Sequence, residues 1–154
     1  MMGIPVHEIM TRNVITVPVS MPVKDVAQLL SERRITGLPV VDDNGLVVGV
    51  LSELDIISRQ GTVAGEIMSA KVISATEDAD AEDVAKLLTD RRIRRVPILA
   101  DGKLVGIVSR SDLIRLFMVV RWTCEDCGYF SRGFERPEAC PSCGSDRIIL
   151  QRDN

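Results

Sequence analysis

The sequence predicts an α/β (α+β) protein in which two β-α-β-β-α repeats pack as a pair and precede a small metal-stapled domain. Residues 9–43 align with residues 67–101 at a constant offset of 58, and residues 45–58 align with 102–115 at an offset of 57. All four cysteines and all five aromatic residues lie at or beyond residue 117. One repeat of under about 60 residues buries too little surface to be stable alone, so the two copies are expected to pack together.

The domain boundaries are predicted at 1–60 for the first repeat, 61–118 for the second repeat and 119–154 for the C-terminal domain. The chain has 154 residues and a net charge of −3, which makes nucleic acid an improbable partner because nucleic-acid binders usually carry a basic face. The sequence contains no apolar run of roughly 18 residues and no signal-peptide pattern, so we expect a cytoplasmic protein without a membrane span.

The first half of each repeat is predicted to be a strand followed by a helix. In the first copy, residues 14–17 form a β-branched run that is typical of a strand. Ser20 and Pro22 then suit a helix cap followed by a first-turn proline, and Asp78 is the corresponding cap in the second copy. The helix itself is indicated by apolar residues at helical spacing, which are Val23, Val26, Ala27 and Leu30.

The second half of each repeat is predicted to be a hairpin followed by a closing helix. Residues 38–41 form a strand, and residues 46–51 form its partner. Asn44-Gly45 in the first copy and Asp101-Gly102 in the second are strong signals for a two-residue hairpin. Ser52 then caps a closing helix that extends to about residue 59.

This arrangement resembles the CBS domain, which occurs in tandem pairs called Bateman modules. The resemblance covers roughly residues 4–118 and is carried by three segments that appear in the same order in both copies. The segments are Glu8-Ile9-Met10-Thr11 and Glu66-Ile67-Met68-Ser69, Gly37-Leu38-Pro39-Val40-Val41-Asp42 and Arg95-Val96-Pro97-Ile98-Leu99, and the Gly-x-x-Ser-x-x-Asp segments at Gly49/Ser52/Asp55 and Gly106/Ser109/Asp112.

The Ser-x-x-Asp part of the last segment has two compatible interpretations. In the structural one, Ser52 with Asp55, and Ser109 with Asp112, form capping boxes that satisfy free backbone N–H groups in the first helical turn. In the functional one, the free donors and positive potential of a helix N-terminus suit a phosphate. The nearby carboxylate can then accept hydrogen bonds from ribose hydroxyls.

The resemblance to CBS pairs implies a site for an adenosine compound such as AMP, ATP or S-adenosylmethionine in the cleft between the repeats. In the family the Asp holds ribose, the Ser or Thr lies near phosphate, and adenine lies between apolar groups. When these family roles are carried over by position, the resemblance implies one ligand site in each copy. The residues of the first site are Ser52, Asp55, Ile15, Thr16 and Pro39. The residues of the second site are Ser109, Ser111, Asp112, Ile73, Ser74 and Pro97.

The two copies differ where a phosphate would lie. The second copy has Arg94-Arg95 and Arg110-Ser111 at positions where the first copy has Thr36-Gly37 and Glu53-Leu54. Arginine and serine attract or hydrogen-bond a phosphate, whereas a glutamate repels it. The second copy is therefore expected to supply the better anionic site. The alternative is a solvated or dimer-facing basic strip made of Arg91, Arg92, Arg94 and Arg95.

Cys124, Cys127, Cys140 and Cys143 have the spacing C-x2-C-x12-C-x2-C, which can place four thiolates around one metal ion. The alternative of two disulfides or free thiols is disfavoured in a reducing compartment. A glycine follows each pair and permits a positive φ, which lets backbone N–H groups point at the sulfurs. Residues 122–144 resemble zinc ribbons and the rubredoxin-like domain of rubrerythrins, so the resemblance implies one ion of zinc or iron.

The aromatic residues of this domain, Trp122, Tyr129 and Phe130, could screen the sulfurs or could form the core of a domain that has little else. We favour the core. With five arginines and six acidic residues, residues 121–154 lack the basic character of a nucleic-acid-binding ribbon.

Three functions were compared. The first is a regulatory module in which the paired repeats sense an adenosine compound and the cysteine domain stabilises the protein or docks an unknown effector. The second is an electron carrier whose iron centre is modulated by nucleotide. The third, a hydrolase or transferase, has little support because the chain has one histidine, His7, near its start, and the sequence shows no arrangement of a nucleophile with a base. A homodimer is also expected, since the helices carry apolar faces that a monomer would not easily hide. One of them is the closing helix of the second copy, with Leu113, Ile114, Leu116 and Phe117.

Overall fold

The structure is a computed structural model that describes residues 3–153, and it contains the predicted β-α-β-β-α order twice. The first copy comprises β1 (Val17–Pro18), α1 (Val23–Arg33), β2 (Gly37–Val41), β3 (Val47–Ser52) and α2 (Glu53–Ser58). The second copy follows a short helix α3 (Ala64–Ile67) and comprises β4 (Ala75–Thr76), α4 (Ala81–Asp90), β5 (Arg95–Ala100), β6 (Lys103–Ser109) and α5 (Arg110–Val119). A 3-10 helix, Val6–Glu8, precedes the first copy.

The C-terminal domain is a three-stranded sheet of β7 (Val120–Cys124), β8 (Phe130–Ser131) and β9 (Ile148–Arg152). The strand order is β8-β7-β9, and β7 pairs antiparallel with both neighbours. The two repeats form sheets of order β1-β2-β3 and β4-β5-β6. In the first of these, β1 is parallel to β2, whereas β2 and β3 form an antiparallel hairpin.

The chain divides into two compact units. One contains residues 12–74 and 99–106, and the other contains residues 3–11, 75–98 and 107–153 of the described chain. The N-terminal segment 3–11 thus belongs to the unit that holds most of the second repeat and the C-terminal domain. Backbone hydrogen bonds anchor it there, from Val6 N to Ala79 O (2.8 Å) and, in both directions, between Thr11 and Ile107 (2.9 Å each).

Each unit has an aliphatic core. In the unit with residues 12–74, the helix α1 packs its apolar stripe on the sheet and on α3, and the buried residues are Val17, Val26, Leu30, Leu38, Val40, Leu51, Ala64 and Ile67. In the other unit, the N-terminal segment contributes Ile4 and Val6 to a core that includes Ala81, Val84, Leu88, Val96, Ile98, Val108, Leu113 and Leu116. Of the stripe predicted for α1, Val26 and Leu30 are buried, whereas Val23 and Ala27 are half-buried.

The core of the C-terminal domain differs from the predicted one. Trp122 is buried as expected and donates through its indole N–H to Gly133 O at 3.1 Å. Tyr129 and Phe130 are exposed, so the prediction that they form the core is wrong. Phe130 instead lies under the guanidinium of Arg121, 4.8 Å from the ring centroid, where a cation–π contact holds it at the surface. The other buried residues of this domain are Val120, Cys124, Cys140 and Ile148.

Two predicted helix caps are wrong. The N-cap of α1 is Pro22 rather than Ser20, and its side chain cannot accept a hydrogen bond. The backbone N–H of Val23 donates to Thr62 O at 2.9 Å instead, which satisfies one free donor of the first turn. The N-cap of α4 is Asp80 rather than Asp78, and its carboxylate accepts from Glu82 N at 3.0 Å.

The two hairpins are not identical. In the second copy, Asp101 and Gly102 have φ of 52° and 79° and connect β5 and β6 as the predicted two-residue turn. In the first copy, the carboxylate of Asp42 accepts from the backbone N–H groups of Asn44 (2.9 Å) and Leu46 (3.0 Å). The backbone N–H of Asp42 also donates to Leu46 O at 2.9 Å, and β3 begins at Val47 rather than at residue 46. Similarly, β1 begins at Val17 rather than at residue 14.

Among residues 3–153, no helix combines the length and the apolar character that a bilayer crossing requires.

Candidate functional site

The four cysteines lie on two turns of the C-terminal domain that have the same backbone structure. Cys124 ends β7 and Cys127 follows it in a turn, while Cys140 and Cys143 flank a turn ahead of β9. In the first turn Gly128 N donates to Cys124 O at 2.9 Å, and in the second turn Gly144 N donates to Cys140 O at 2.8 Å. Both glycines have φ of 78°, the left-handed conformation that glycine adopts without strain. The predicted positive φ of these glycines is confirmed.

The four sulfur atoms form one cluster. All lie within 4.8 Å of one another, and the shortest separations, Cys124 to Cys143 and Cys127 to Cys140, are both 3.6 Å. Each short contact joins one cysteine of each turn. Metal–sulfur bonds of about 2.3 Å in a tetrahedral site give sulfur–sulfur distances of about 3.8 Å. The sulfur positions therefore fit one four-coordinate ion and do not form disulfides, whose S–S bonds are about 2.05 Å.

The protonation of the cluster also favours a cation. Burial raises the pKa of the Cys140 thiol, but the backbone N–H groups of Cys143 and Ser142 and the neighbouring thiols lower it to about 7. The N–H of Ser145 lowers the pKa of the Cys143 thiol, but hydrogen bonding with Cys127, burial and the other thiols together raise it to about 12. The Cys140 thiol therefore ionises more easily than the Cys143 thiol. A bound metal ion relieves the repulsion and allows all four thiols to ionise.

The cluster is half-covered. Cys124 and Cys140 are buried, whereas Cys127 and Cys143 are exposed. Four thiolates with a tetrahedral arrangement suit zinc and iron equally well. Such an ion would hold the two turns together, and two of its sulfur ligands would face solvent.

The starts of α2 and α5 contain the predicted capping boxes. In the first copy, Ser52 N donates to Asp55 Oδ2 at 2.8 Å and Asp55 N donates to Ser52 Oγ at 3.4 Å. In the second copy, Ser109 N donates to Asp112 Oδ2 at 2.8 Å. The structural interpretation of the Ser-x-x-Asp segment is therefore confirmed in both repeats.

Asp112 has two further partners, which sequence reasoning missed. Its Oδ1 accepts from Thr11 Oγ1 at 3.3 Å and forms a short ion pair with Arg115. Asp112 is only 3% exposed and is the one buried charged residue in the described part of the chain. The i, i+3 spacing of Asp112 and Arg115 on a helix was a usable signal. Thr11 stood in a segment that had been singled out only as a marker of the repeat.

Asp55 is more open than Asp112. Its Oδ1 lies 3.4 Å from Arg59 Nε, another partner that was not predicted, and its side chain is 16% exposed against 2% for Asp112. The equivalent carboxylates of the two repeats therefore differ in solvent access and in the number of groups that hold them.

The predicted ligand residues divide between the two units. One unit contains Ile15, Thr16, Pro39, Ser52, Asp55, Ile73 and Ser74, and the other contains Arg94, Arg95, Pro97, Ser109, Arg110, Ser111 and Asp112. At the start of α5, the Ser109 and Ser111 hydroxyls lie 2.9 Å apart and Ser109 Oγ lies 3.1 Å from Asp112 Oδ2. Ser109, Ser111 and Asp112 thus lie together at the start of α5, while Ile73 and Ser74 belong to the unit that holds the first-copy residues.

Arg110 lies in the wall of a groove of about 470 Å³ on the unit that contains α4 and α5. The groove also receives Phe134 from the C-terminal domain, and its other walls are Ala85, Leu88, Thr89, Arg92, Ile93, Leu113 and Ile114. The surface between α4 and α5 is therefore mainly apolar, and Arg92 and Arg110 are the basic residues that line it.

Comparisons with known proteins cover most of the chain. The family model for the CBS domain matches residues 6–61 and again residues 64–119, which together make up more than half of the chain. The family model for the rubredoxin-like domain of rubrerythrin matches residues 122–147.

Among curated proteins, the chain is 29% identical over 161 aligned residues to the chloroplastic CBS domain-containing protein CBSX2 of Arabidopsis thaliana. The alignment covers 80% of this chain and 68% of that protein. It is 34% identical to the CBS domain-containing protein YhcV of Bacillus subtilis, with 70% of this chain and 81% of the relative covered. For an uncharacterized protein of Methanocaldococcus jannaschii the matched region is 42% of the relative's length.

Among solved structures, that of CBSX2 in complex with AMP is 35% identical in sequence to this chain and superposes with a TM-score of 0.72. The match covers 75% of this chain and 97% of the CBSX2 chain. The CBS domain pair of protein MJ0100, in complex with 5′-methylthioadenosine and S-adenosyl-L-methionine, is 32% identical, covers 75% and 96%, and has a TM-score of 0.69.

Proposed function

The chain belongs to the CBS-domain family and carries a rubredoxin-like domain at its C-terminal end, and from this premise we propose that it is a regulatory ligand-sensing protein. Its CBS pair binds an adenosine nucleotide or a related compound, and the four-cysteine domain stabilises the protein or docks an effector. The observation that carries the proposal is the pair of serine-capped helix starts, each with an aspartate, in a fold whose solved relatives hold AMP, methylthioadenosine and S-adenosylmethionine.

The proposed roles follow from the chemistry of each residue. Asp55 and Asp112 accept hydrogen bonds from ribose hydroxyls, and Ile15, Pro39, Ile73 and Pro97 contribute apolar surface for adenine, with Thr16 and Ser74 beside them. Ser52, Ser109 and Ser111 lie at helix starts that offer donors to a phosphate. Arg94, Arg95 and Arg110 add positive charge in the second copy only.

The second copy is proposed to hold the anion better. The helix α5 has 10 residues and begins with Arg110 and Ser111, whereas α2 has 6 residues and begins with Glu53. A longer helix presents a fuller dipole at its N-terminus, and an arginine there attracts the charge that a glutamate repels.

Calorimetry with AMP, ATP and S-adenosylmethionine on the untagged full-length protein tests this function. We expect binding of at least one of these compounds, with a larger loss of affinity for Asp112→Ala than for Asp55→Ala. Equal losses would contradict the difference between the copies. If the parent protein bound none of the three compounds, the ligand-sensing function itself would be wrong.

A second candidate function is electron transfer through an iron centre, modulated by nucleotide. The match of residues 122–147 to the rubredoxin-like domain of rubrerythrin favours it, and so does the exposure of Cys127 and Cys143. Metal analysis of protein from native cells separates the two candidates. Iron with visible absorption that dithionite bleaches supports electron transfer, whereas stoichiometric zinc in a colourless protein refutes it.

We also propose a homodimer. The helical stripes Val26/Leu30 and Val84/Leu88 are buried within the chain. On the closing helix α5, whose apolar residues the sequence also offers for an interface, Ile114, Phe117, Met118 and Val119 are exposed. An exposed apolar set of this kind typically marks an interface. Light scattering at micromolar concentration tests the proposal, and a monomeric mass would refute it.

No catalytic residue is proposed, and the protein is proposed to reside in the cytoplasm and to act on an effector protein. His7, the single histidine, lies in the 3-10 helix Val6–Glu8, and general acid–base chemistry needs a partner group for which the sequence offers no pattern.

A further inference from the structure

The helix α5 connects the proposed ligand residues directly to the metal-binding domain. It begins at Arg110, and Asp112 lies in its first turn. It ends at Val119, and β7, which carries Cys124, begins at the next residue. Ten residues of helix span about 15 Å. A displacement of the C-terminal domain therefore acts on the same rigid element that positions Asp112.

Arg132 fastens the C-terminal end of α5 to this domain. Its guanidinium donates to Met118 O at 2.9 Å and to Val120 O at 3.0 Å, and it pairs with Asp153 Oδ2 at 2.7 Å. The last carbonyls of a helix have no partner within the helix, so one arginine supplies the missing donors. Asp153 N also donates to Val119 O at 2.6 Å. Residues from two parts of the C-terminal domain thus hold the junction.

Side-chain contacts extend this attachment to α4 and to the middle of α5. The rings of Phe117 and Phe134 pack at 5.9 Å between centroids with an interplanar angle of 48°, a tilted arrangement that aromatic pairs favour. Lys86 of α4 lies 4.0 Å from Glu135. The segment that joins the two cysteine pairs therefore rests on the second repeat.

A second, independent connection runs through the N-terminal segment 3–11. Glu8 forms a short ion pair with Arg152 of β9. Three residues later, Thr11 donates through its hydroxyl to Asp112 Oδ1 at 3.3 Å, and it exchanges backbone hydrogen bonds of 2.9 Å with Ile107 of β6. One end of the segment thus contacts the last strand of the metal-binding domain, and the other end contacts the proposed ribose acceptor.

We propose that Thr11 and Arg132 are positioning residues through which the metal-loaded C-terminal domain holds the Asp112 carboxylate, so that metal and nucleotide bind cooperatively. This inference rests on the proposed ligand-sensing function. A domain whose core is one tryptophan, a few aliphatic side chains and two cysteines depends on its metal for folding. When the metal leaves, β9 and Arg132 lose their positions, and Thr11 and the end of α5 lose the contacts that hold them. Because coupling is reciprocal, nucleotide must in turn increase the affinity for the metal by the same factor.

The test compares the zinc-loaded and metal-free full-length protein. Calorimetry with AMP is expected to show an affinity roughly five- to a hundredfold higher for the zinc-loaded form, the usual range of such coupling. Saturating AMP is expected to raise the affinity for zinc, measured by competition with a chromophoric chelator, by the same factor. Circular dichroism of the metal-free form checks that the repeats remain folded.

Variants identify the route. With zinc bound, Thr11→Val and Arg132→Ala are expected to lower the AMP affinity toward that of the metal-free protein, and Thr11→Ser restores it. Arg147→Ala is the matched control, because Arg147 pairs with Glu125 and Asp126 inside the C-terminal domain and is expected to leave the coupling unchanged. If the zinc-loaded and metal-free forms bound AMP equally, or if both variants kept the full coupling, the inference would be wrong. If the zinc-loaded parent bound no adenosine compound, the proposed function would fall and this inference with it.

Discussion

Truncation of the two equivalent aspartates should have unequal effects on stability. Asp55→Ala and Asp112→Ala remove the same capping carboxylate at the same position of the repeat, so each is the control for the other. The surroundings differ, because the Asp112 side chain is 2% exposed and that of Asp55 is 16% exposed. Asp112 also accepts from Thr11, which has no counterpart among the contacts of Asp55.

The magnitude follows from the donors that lose a partner. Loss of a helix cap costs about 1 kcal/mol in either copy. The lost cap already includes the bond from the Ser109 N–H, which has its counterpart at Ser52. Asp112→Ala additionally removes the hydrogen bond from the hydroxyl of the exposed Thr11, and a typical hydrogen bond contributes about 0.5–1.5 kcal/mol. The ion pair with Arg115 adds little, because that arginine is 67% exposed. We therefore expect Asp112→Ala to lower the free energy of unfolding by about 1.5–2.5 kcal/mol and Asp55→Ala by about 1 kcal/mol.

Urea unfolding of the zinc-loaded protein, followed by circular dichroism, measures both losses. The free energy of unfolding should fall with urea concentration at the same slope in the parent and in both variants. Differences in the midpoint of unfolding then measure differences in stability. Equal losses, or a greater loss for Asp55→Ala, would show that burial and the Thr11 contact do not strengthen the second capping box.

Three further outcomes are expected. Gly49→Ala should lower stability by about 1–3 kcal/mol in urea, because a Cβ there would lie 3.0 Å from Ser69 O; an unchanged midpoint would contradict this. Removal of zinc should move the fluorescence emission to longer wavelength, because the single tryptophan, Trp122, is buried in the metal-binding domain; unchanged emission would mean that the domain folds without metal. The Thr62 hydroxyl holds the pKa of Glu66 below its ordinary value of 4.5. The contribution of the ionised Glu66 to stability is therefore present above pH 4.5 and is lost as the pH falls through the lower pKa of the folded state. In Thr62→Val the pKa of Glu66, followed by NMR, should rise toward 4.5, whereas Thr62→Ser should leave it low.

The predictable part of the structure is the part that local patterns determine. The repeated order of strands and helices follows from apolar spacing, and the two cysteine turns follow from the glycines that tolerate a φ of 78°. The start of β3 could not be predicted in the same way. Asn44-Gly45 favours a two-residue hairpin, but the side chain of Asp42 captures two backbone N–H groups and lengthens the connection. Asp side chains can compete with a strand ladder for backbone N–H groups, and the local sequence pattern does not show which of the two prevails.

Tertiary context decided the remaining differences. Helical periodicity showed which side of α1, α4 and α5 is apolar but not what covers it, so buried residues of α1 and α4 were included in the expected dimer surface. Tyr129 and Phe130 were expected inside because the domain has few other large apolar residues, yet two cysteines and Ile148 fill that place. Thr11 contacts Asp112 across 101 positions in sequence, and no pattern within one repeat connects two residues that far apart.

The duplication supplies two helices that begin in the same way and end differently. Each begins with a serine and an aspartate in a capping box, which keeps the helix formed without a ligand. In the first copy the helix stops at Ser58 and leaves Leu54 and Ile57 exposed. In the second copy it continues to Val119 and runs into the strand that carries Cys124. Only the second aspartate can therefore respond to the metal-binding domain through its own helix, and a Thr11→Val or Arg132→Ala change should alter ligand binding at Asp112 while leaving any binding at Asp55 as it was.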